Sequence, residues 1–220
     1  MGVNLRLFLT MAASMPKTIF FNIKAFPLKE AVRLPVMVHF NTRIDSLKKG
    51  CITIRDPVRF GIKIGFGGTR KIFPRRSYVD IGYGKVFFEK RALFGEGISL
   101  SNAGILHIGD NFFSNTNSTI WCSKEIAVGK DALLGWNVLL RDSDGHAMIE
   151  NGIQKEISSP IKIGDHCWIA SDSVVLKGSG FGNDCVLGYG SILTKHFDLN
   201  NTLFVGRPAK SVKNNINWIF

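Results

Sequence analysis

From Ile163 to Lys210 the chain reads IGDHCW, IASDSV, VLKGSG, FGNDCV, LGYGSI, LTKHFD, LNNTLF and VGRPAK, eight consecutive units of six residues. Each unit opens on an apolar residue (Ile163, Ile169, Val175, Phe181, Leu187, Leu193, Leu199, Val205), and small residues follow at Gly164, Ala170, Gly182, Gly188 and Gly206. Small residues also fill the fifth position at Cys167, Ser173, Ser179, Cys185 and Ala209. A half-buried strand repeats every two residues and a helix every 3.6, so neither explains a strict six over this length. A solenoid does. Three hexads form one coil of about 18 residues, neighbouring coils stack at about 4.8 Å, and the opening aliphatics line the interior as ladders. A sandwich of short strands would not hold the spacing constant.

Upstream the rhythm loosens. Ile98 to Leu140 carries Ile108-Gly109, Ile120 and Ile126, then a shifted phase at Val128-Gly129, Leu134-Gly135 and Leu140. The gap of eight from Ile120 to Val128 predicts a small outward bulge. Ile64-Gly65 and Ile81-Gly82 open hexads out of step with each other, so the early coils carry insertions. Between the two rhythmic stretches, residues 141–160 (RDSDGHAMIENGIQKEISSP) fit no hexad. A polar loop thrown out of a rigid stack is a favoured place for chemistry. It holds His146, behind Asp142 and Asp144 in D-S-D-G-H. Imidazole titrates near neutrality, either carboxylate could hold one ring nitrogen and raise the basicity of the other, and Gly145 permits an unusual turn. On these residues alone, a general base and a solvated surface histidine both remain open.

The string SSPIKIGDHCWIASDSVVLKGSGFGNDCVLGYGSILTKHF, followed by VGRPAKSVK, resembles the hexapeptide-repeat acyltransferases. It is most similar to the branch of galactoside, maltose and serine acetyltransferases and bacterial polysaccharide O-acetyltransferases. The resemblance implies an all-β fold, a left-handed parallel β-helix of hexapeptide repeats, here with a short mixed or helical N-terminal extension. It implies acetyl-CoA as co-substrate and a homotrimer with active sites between neighbouring subunits. In that family a catalytic histidine precedes a Pro-Ile-x-Ile-Gly and Trp-Ile segment, here Pro160 to Gly164 and Trp168-Ile169. Carried over, His146 is the general base that deprotonates an acceptor hydroxyl, with Asp144 or Asp142 orienting it. Asn137 matches an acceptor-holding asparagine. Trp168, Ala170, Ser171, Gly188, Tyr189, Lys195 and Lys210 match positions along the coenzyme. Ala170, Tyr189 and His196 depart from the family's usual glycine, small residue and aspartate; Tyr189 could stack on adenine or face solvent.

The reaction expected is transfer of acetyl to a sugar hydroxyl in surface polysaccharide or lipid-linked glycan synthesis, the acceptor being a glycan or a nucleotide- or lipid-linked sugar. N-acetylation of an amino sugar nucleotide and a non-catalytic β-helical scaffold remain as alternatives. No metal is expected, since no two of His39, His107, His146, His166 and His196 stand in the H-x-x-x-x-H spacing of the gamma-class carbonic anhydrases. No Gly-x-Ser-x-Gly elbow marks a hydrolase.

Charge is divided unevenly. Residues 1–91 hold 18 Lys and Arg against 5 Asp and Glu, whereas residues 92–220 hold 10 against 12. A basic leading part suggests an anionic partner: phospholipid headgroups, a nucleotide-linked sugar, or coenzyme phosphates. Nucleic acid is not expected, for want of a reading motif. From Lys17 to Phe40, aromatics interleave with cations, and Pro27 and Pro35 break any helix there. This segment either caps the first coil or lies on an anionic membrane surface. Arg70, Lys71, Arg75 and Arg76 form a basic knot around Pro74, readable as a solvated loop or a phosphate contact. Arg6 interrupts the opening apolar run, so neither a cleaved leader nor a spanning helix is expected, and the enzyme reads as cytoplasmic, with peripheral contact at the inner membrane face. Cys51, Cys122, Cys167 and Cys185 form no C-x-x-C pair, consistent with a reducing compartment, and buried packing is preferred over a redox pair for Cys167 and Cys185. The organisation expected is an extension at 1–46, the acyltransferase β-helix at 47–213 with its loop at 141–160, and a tail at 214–220.

Overall fold

Period-six sequence becomes a three-sided prism because each hexad supplies one short strand and one corner. The computed structural model describes residues 5–67 and 73–219. Their strands form three parallel sheets, the faces of a left-handed β-helix. The first face climbs from Val36–Val38 to Leu203–Gly206. Stacked inward residues make the core. On the second face Val79, Leu100, Ile120, Leu140, Val175 and Leu193 lie one above another, each fully buried. Burying such a side chain stabilises by about 1.5–3 kcal/mol, so the ladders dominate the fold's stability.

The regular hexads behave as the spacing predicts only as far as Leu193. Lys162 pairs with Gly180, Trp168 with Val186 and Val174 with Ile192, each one coil of three hexads on. Above that, His196 pairs with Gly180, a step one dipeptide short of three hexads, which brings Phe197 rather than Leu199 over the core. The Phe197 and Phe204 rings close the top, centroids 4.7 Å apart, with Phe204 stacked on Phe181 at 5.4 Å. Leu199 is 41% exposed and Val205 half-buried. VGRPAK is therefore not a hexad. Its chain doubles back, so that Ala209–Lys213 pairs antiparallel with Leu203–Gly206 and ends the sheet.

The expected bulge is absent. Between Ile120 and Val128 the third-face strand is simply one pleat longer: Glu125–Val128 pairs in unbroken register with Ile105–Ile108. Both Ile126 and Val128 point inward, 0% and 3% exposed. The coils from Lys85 to Leu140 are thus three hexads plus a dipeptide, as the pairing of Phe112 with Ala92 and of Thr119 with Ser99 requires, whereas the lowest coils are longer, with Ile62 paired to Val36 and to Ala92.

The stack also starts earlier than residue 47, at Val36–Val38, which pairs parallel with Ile62–Ile64. Beneath it lies helix α1, Leu5–Ala25, followed by the short α2, Leu28–Ala31. The first strand has one free edge, and α1 supplies partners from a stripe of buried polar side chains. Asn22 bonds both the N–H and the C=O of Val36 (3.2 and 2.6 Å), Thr18 bonds both groups of Val38 (3.1 and 3.3 Å), and Ser14 accepts the N–H of Phe40 (3.1 Å). An unpaired buried backbone group costs about 1–3 kcal/mol, which is why polar rather than apolar residues face this edge.

Candidate active site

The 141–160 loop leaves the second face after Leu139–Arg141 and rejoins the third at Ile161–Ile163. Its base is closed by an antiparallel bridge between Ser143 and Ser158. The Ser159 N–H donates to the Asp142 carbonyl and the Asp144 N–H to Ile157, both at 2.9 Å. Farther out, Ile149–Glu150 and Ile153–Gln154 form a small hairpin that leaves Met148, Ile149 and Ile153 exposed.

Asp142 anchors all of this. It is wholly buried; Oδ1 accepts the Ser123 N–H, and Oδ2 accepts those of Lys124 and Glu125, all at 2.7 Å, with the Cys122 thiol at 3.8 Å. Burial, then the Asp142 charge, pushes that thiol up to about 12. Asp142 thus faces the corner of the coil below, wholly buried, and makes no bond to the exposed His146. Asp144 instead pairs with Lys177 Nζ at 2.6 Å, and the same ammonium donates to the Glu156 carbonyl. Arg141 lies over the Trp121 ring at 4.5 Å and donates to the Asp144 carbonyl at 3.2 Å. Sequence reasoning missed Lys177 and Arg141, since neither stands in the motif around the histidine.

His146 itself is exposed, and among the described residues no hydrogen bond or ion pair holds its ring. The other histidines are engaged. His166 bonds Asp184 at 2.9 Å and stacks on Trp218; His196 bonds Asp198 at 3.1 Å; His107 stacks on Phe87; His39 accepts the Asn41 N–H. Burial, then the Lys17 charge, pushes His39 down from the usual imidazole value.

The matched binding residues gather at a different corner, where the first face turns into the second. Asn137 takes a left-handed backbone (φ 55°) and donates to Asp172 at 2.9 Å. Ser171 Oγ accepts the Trp136 N–H at 3.0 Å, leaving its own hydroxyl proton to donate elsewhere. Ala170 bonds Leu187 and Gly190 bonds Ser171, so Ala170, Ser171 and the Gly188–Gly190 segment are contiguous. A Cβ on Gly188 would meet the Val205 side chain at 2.6 Å. Tyr189 stands 72% exposed beside Asp172, whose hydrogen bond and charge push its phenol up. Arg207, not foreseen from sequence, donates to the Gly190 carbonyl at 2.5 Å. Trp168 is drawn instead toward the tail: Trp218 tilts against it at 6.0 Å and donates to the His166 carbonyl at 2.8 Å. Lys195 lies over the Phe197 ring at 4.9 Å, and Lys210 sits in the closing hairpin opposite Val205.

Asn137 and Ser171 precede the second-face strands, whereas the 141–160 loop and Lys177 follow them. The proposed base thus lies on the opposite edge of one face from Asn137, Ser171 and Tyr189, and Lys195, which follows Ile192–Leu193, lies on the loop's edge. In the basic knot, the Arg75 side chain and N–H are tied to Asn117 and Arg76 to the Asn41 carbonyl, so part of it is structural; Arg70 and Lys71 lie outside the described residues. The four cysteines are buried and unbridged.

No family model matches the chain. By sequence it is similar to the galactoside O-acetyltransferase of Escherichia coli (strain K12), 34% identical over 111 residues, 49% of this chain and 53% of that protein. It is also similar to a putative lipopolysaccharide biosynthesis O-acetyl transferase, WbbJ, of the same strain, 26% identical over 142 residues, 59% of this chain and 72% of that one. The polySia specific acetyltransferase NeuO superposes with a TM-score of 0.59 at 20% identity, over 83% of this chain and 70% of its own, a likeness of fold. The chain spans about half the length of the galactoside enzyme. Both of these sequence relatives are named O-acetyltransferases, and the fold is shared with the polySia specific acetyltransferase.

Proposed function

We propose that this hexapeptide-repeat protein is an acetyl-CoA-dependent O-acetyltransferase that acts on a sugar hydroxyl in surface polysaccharide or lipid-linked glycan synthesis. The observation that carries the reading is His146: an exposed imidazole with no partner among the described residues, on a loop whose base is pinned by the buried Asp142. Acetyl-CoA supplies the acetyl group as a thioester. His146 takes the proton from the acceptor hydroxyl, whose oxygen forms the new bond to the acetyl carbon as the carbon–sulfur bond breaks, and the proton passes on to the departing thiolate. The free hydroxyl proton of Ser171 faces the developing oxyanion, a role worth on the order of 3 kcal/mol. Asn137 holds the acceptor. Tyr189, Arg207 and Lys210 meet the nucleotide end of the coenzyme, and Lys195, on the loop's edge of the face, meets a coenzyme held by a neighbouring copy.

The separation of His146 from the binding corner favours a site completed by a neighbouring copy, as in a homotrimer. The exposed Met148, Ile149 and Ile153 on the loop hairpin give that neighbour an apolar surface to cover. Calorimetric titration with acetyl-CoA tests the reading, beside His146→Ala. Both proteins should bind one coenzyme per chain, and the variant should lose about 100- to 10,000-fold in turnover on the sugar acceptor. The product should be an ester that mild alkali removes; an alkali-stable amide would redirect the assignment to N-transfer. Absence of binding at millimolar coenzyme would overturn the enzyme altogether.

A further inference from the structure

In α1 the buried side is only partly apolar, with Phe21 and Ala25 in the core, while the outward side is apolar along its length. The buried side carries Ser14, Thr18 and Asn22, spaced by four and spent on the first strand. The outward side carries Leu5, Phe8, Leu9, Ile19, Phe20 and Ile23, between 43% and 68% exposed. At 100° per residue these six fall on one stripe that runs the length of the 21-residue helix, about 30 Å. Phe40 borders a groove with Leu5 and Leu9 and extends the stripe. A soluble helix whose only task is capping has no use for such a surface, because apolar area left in water forgoes about 25 cal/mol per Å².

Charge identifies the occupant. Glu30 is the single acidic residue among the first 44. Lys24, Lys29 and Arg33 are exposed, and the Lys24 ammonium lies 5.9 Å from the Phe20 ring centre, at the border of the stripe. Two copies joined through this face would bring their cations together, whereas an anionic bilayer neutralises them while its acyl region takes the aromatics. No helix among the described residues is long and apolar enough to cross a membrane, so the contact is one of lying on the surface.

We infer that α1 seats the prism on an anionic membrane, its polar stripe holding the first coil and its apolar stripe entering the headgroup layer. The two readings open for the leading segment, cap and membrane contact, are then the two sides of one helix. Second-face strands beginning at Arg43, Tyr78, Ser99, Thr119 and Leu139 stack in that order, so the 141–160 loop stands about four strand spacings, roughly 20 Å, above the first coil that rests on the helix. On the transferase reading, that is a reach suited to a sugar on a lipid carrier.

Sedimentation of the full chain with vesicles tests this without any turnover assay, so its failure and that of the transferase reading are told apart. The protein should pellet with phosphatidylcholine–phosphatidylglycerol vesicles at low salt, bind far less to phosphatidylcholine alone, and be released by high salt. Charge reversal by Lys24→Glu with Lys29→Glu should weaken binding about tenfold or more. Phe8→Ser with Phe20→Ser and Ile23→Ser should abolish it while the circular dichroism stays that of wild type; should that variant unfold, the charge-reversal pair and the lipid dependence still decide. Failure to pellet with anionic vesicles would overturn the inference. So would a stripe variant that loses no vesicle binding, or one that only lowers the oligomer mass by light scattering, which would assign the stripe to a second copy.

Discussion

The coils just below the 141–160 loop, from Lys85 to Leu140, are three hexads plus a dipeptide, those just above it, from Ile161 to Leu193, three hexads alone, and the two regions differ by a single pleat on the third face. In the lower half that face turns two side chains inward per coil, Leu106 with Ile108 and Ile126 with Val128. Above the loop, Ser179 and Phe181 take those places. The wider bore is filled by aromatic rings, Phe88 against Phe94 at 6.0 Å and Phe94 against Phe112 at 5.2 Å. The loop emerges where the bore narrows, between Leu139 and its stacking partner Val174. A change of gauge is thus obtained without a bulge, by adding or removing a dipeptide, the smallest step that keeps inward residues inward.

Substitutions on one ladder break this comparison most directly. Phe94 and Leu187 both face inward on the first face, one in each half. Phe94→Ala should cost about 3–5 kcal/mol and Leu187→Ala about 2–4 kcal/mol in urea unfolding. A loss below about 1 kcal/mol for Phe94 would mean that the wide bore is loosely filled. At the step between the halves, Asp142→Asn sets an amide against backbone N–H donors and should cost about 1.5–3 kcal/mol, with faster proteolysis within 143–158. His146→Ala, on the exposed part of the same loop, should leave stability within about 0.5 kcal/mol.

The smallest effect is alkaline. Burial, the first cause in each, raises the thiols of Cys122 in the wide half and Cys167 in the narrow half from 9.0 to about 12. The folded state therefore favours the neutral thiol; the stability this gives is complete below pH 9 and is lost as pH climbs from 9 toward 12. Melting temperature should fall across that window, less steeply in a Cys122→Ala, Cys167→Ala protein. A fall equal in both proteins would assign it to other groups.

Sequence patterning made the upper half legible because hexads leave no ambiguity of phase. The lower half obscured itself, since a coil of three hexads plus a dipeptide reads as a phase error at Val128. At the top, Val205-Gly206 mimics a hexad opening, and only the bulk of Phe197 and Phe204 decides the interior. α1 was hidden for the opposite reason: hydrophobic periodicity finds the face that meets the core, and here Phe21 and Ala25 share that face with Ser14, Thr18 and Asn22. Of the proposed site, the loop that carries His146 was legible as a break in the hexads. The commitment of Asp142 to Ser123, Lys124 and Glu125 was not, because these partners belong to the previous coil and no local spacing announces them.

One coil touches the next chiefly through its main-chain ladder and its inward side chains, so the height of the prism is quantised. Whole coils are exchangeable parts: removing one turn below the loop, such as the one that carries the chain from Ala92 round to Phe112, would lower the loop by about 4.8 Å and leave both ends intact. Such a chain acts as a ruler, with the distance between its helical foot and its loop written as a number of turns and open to change one turn at a time.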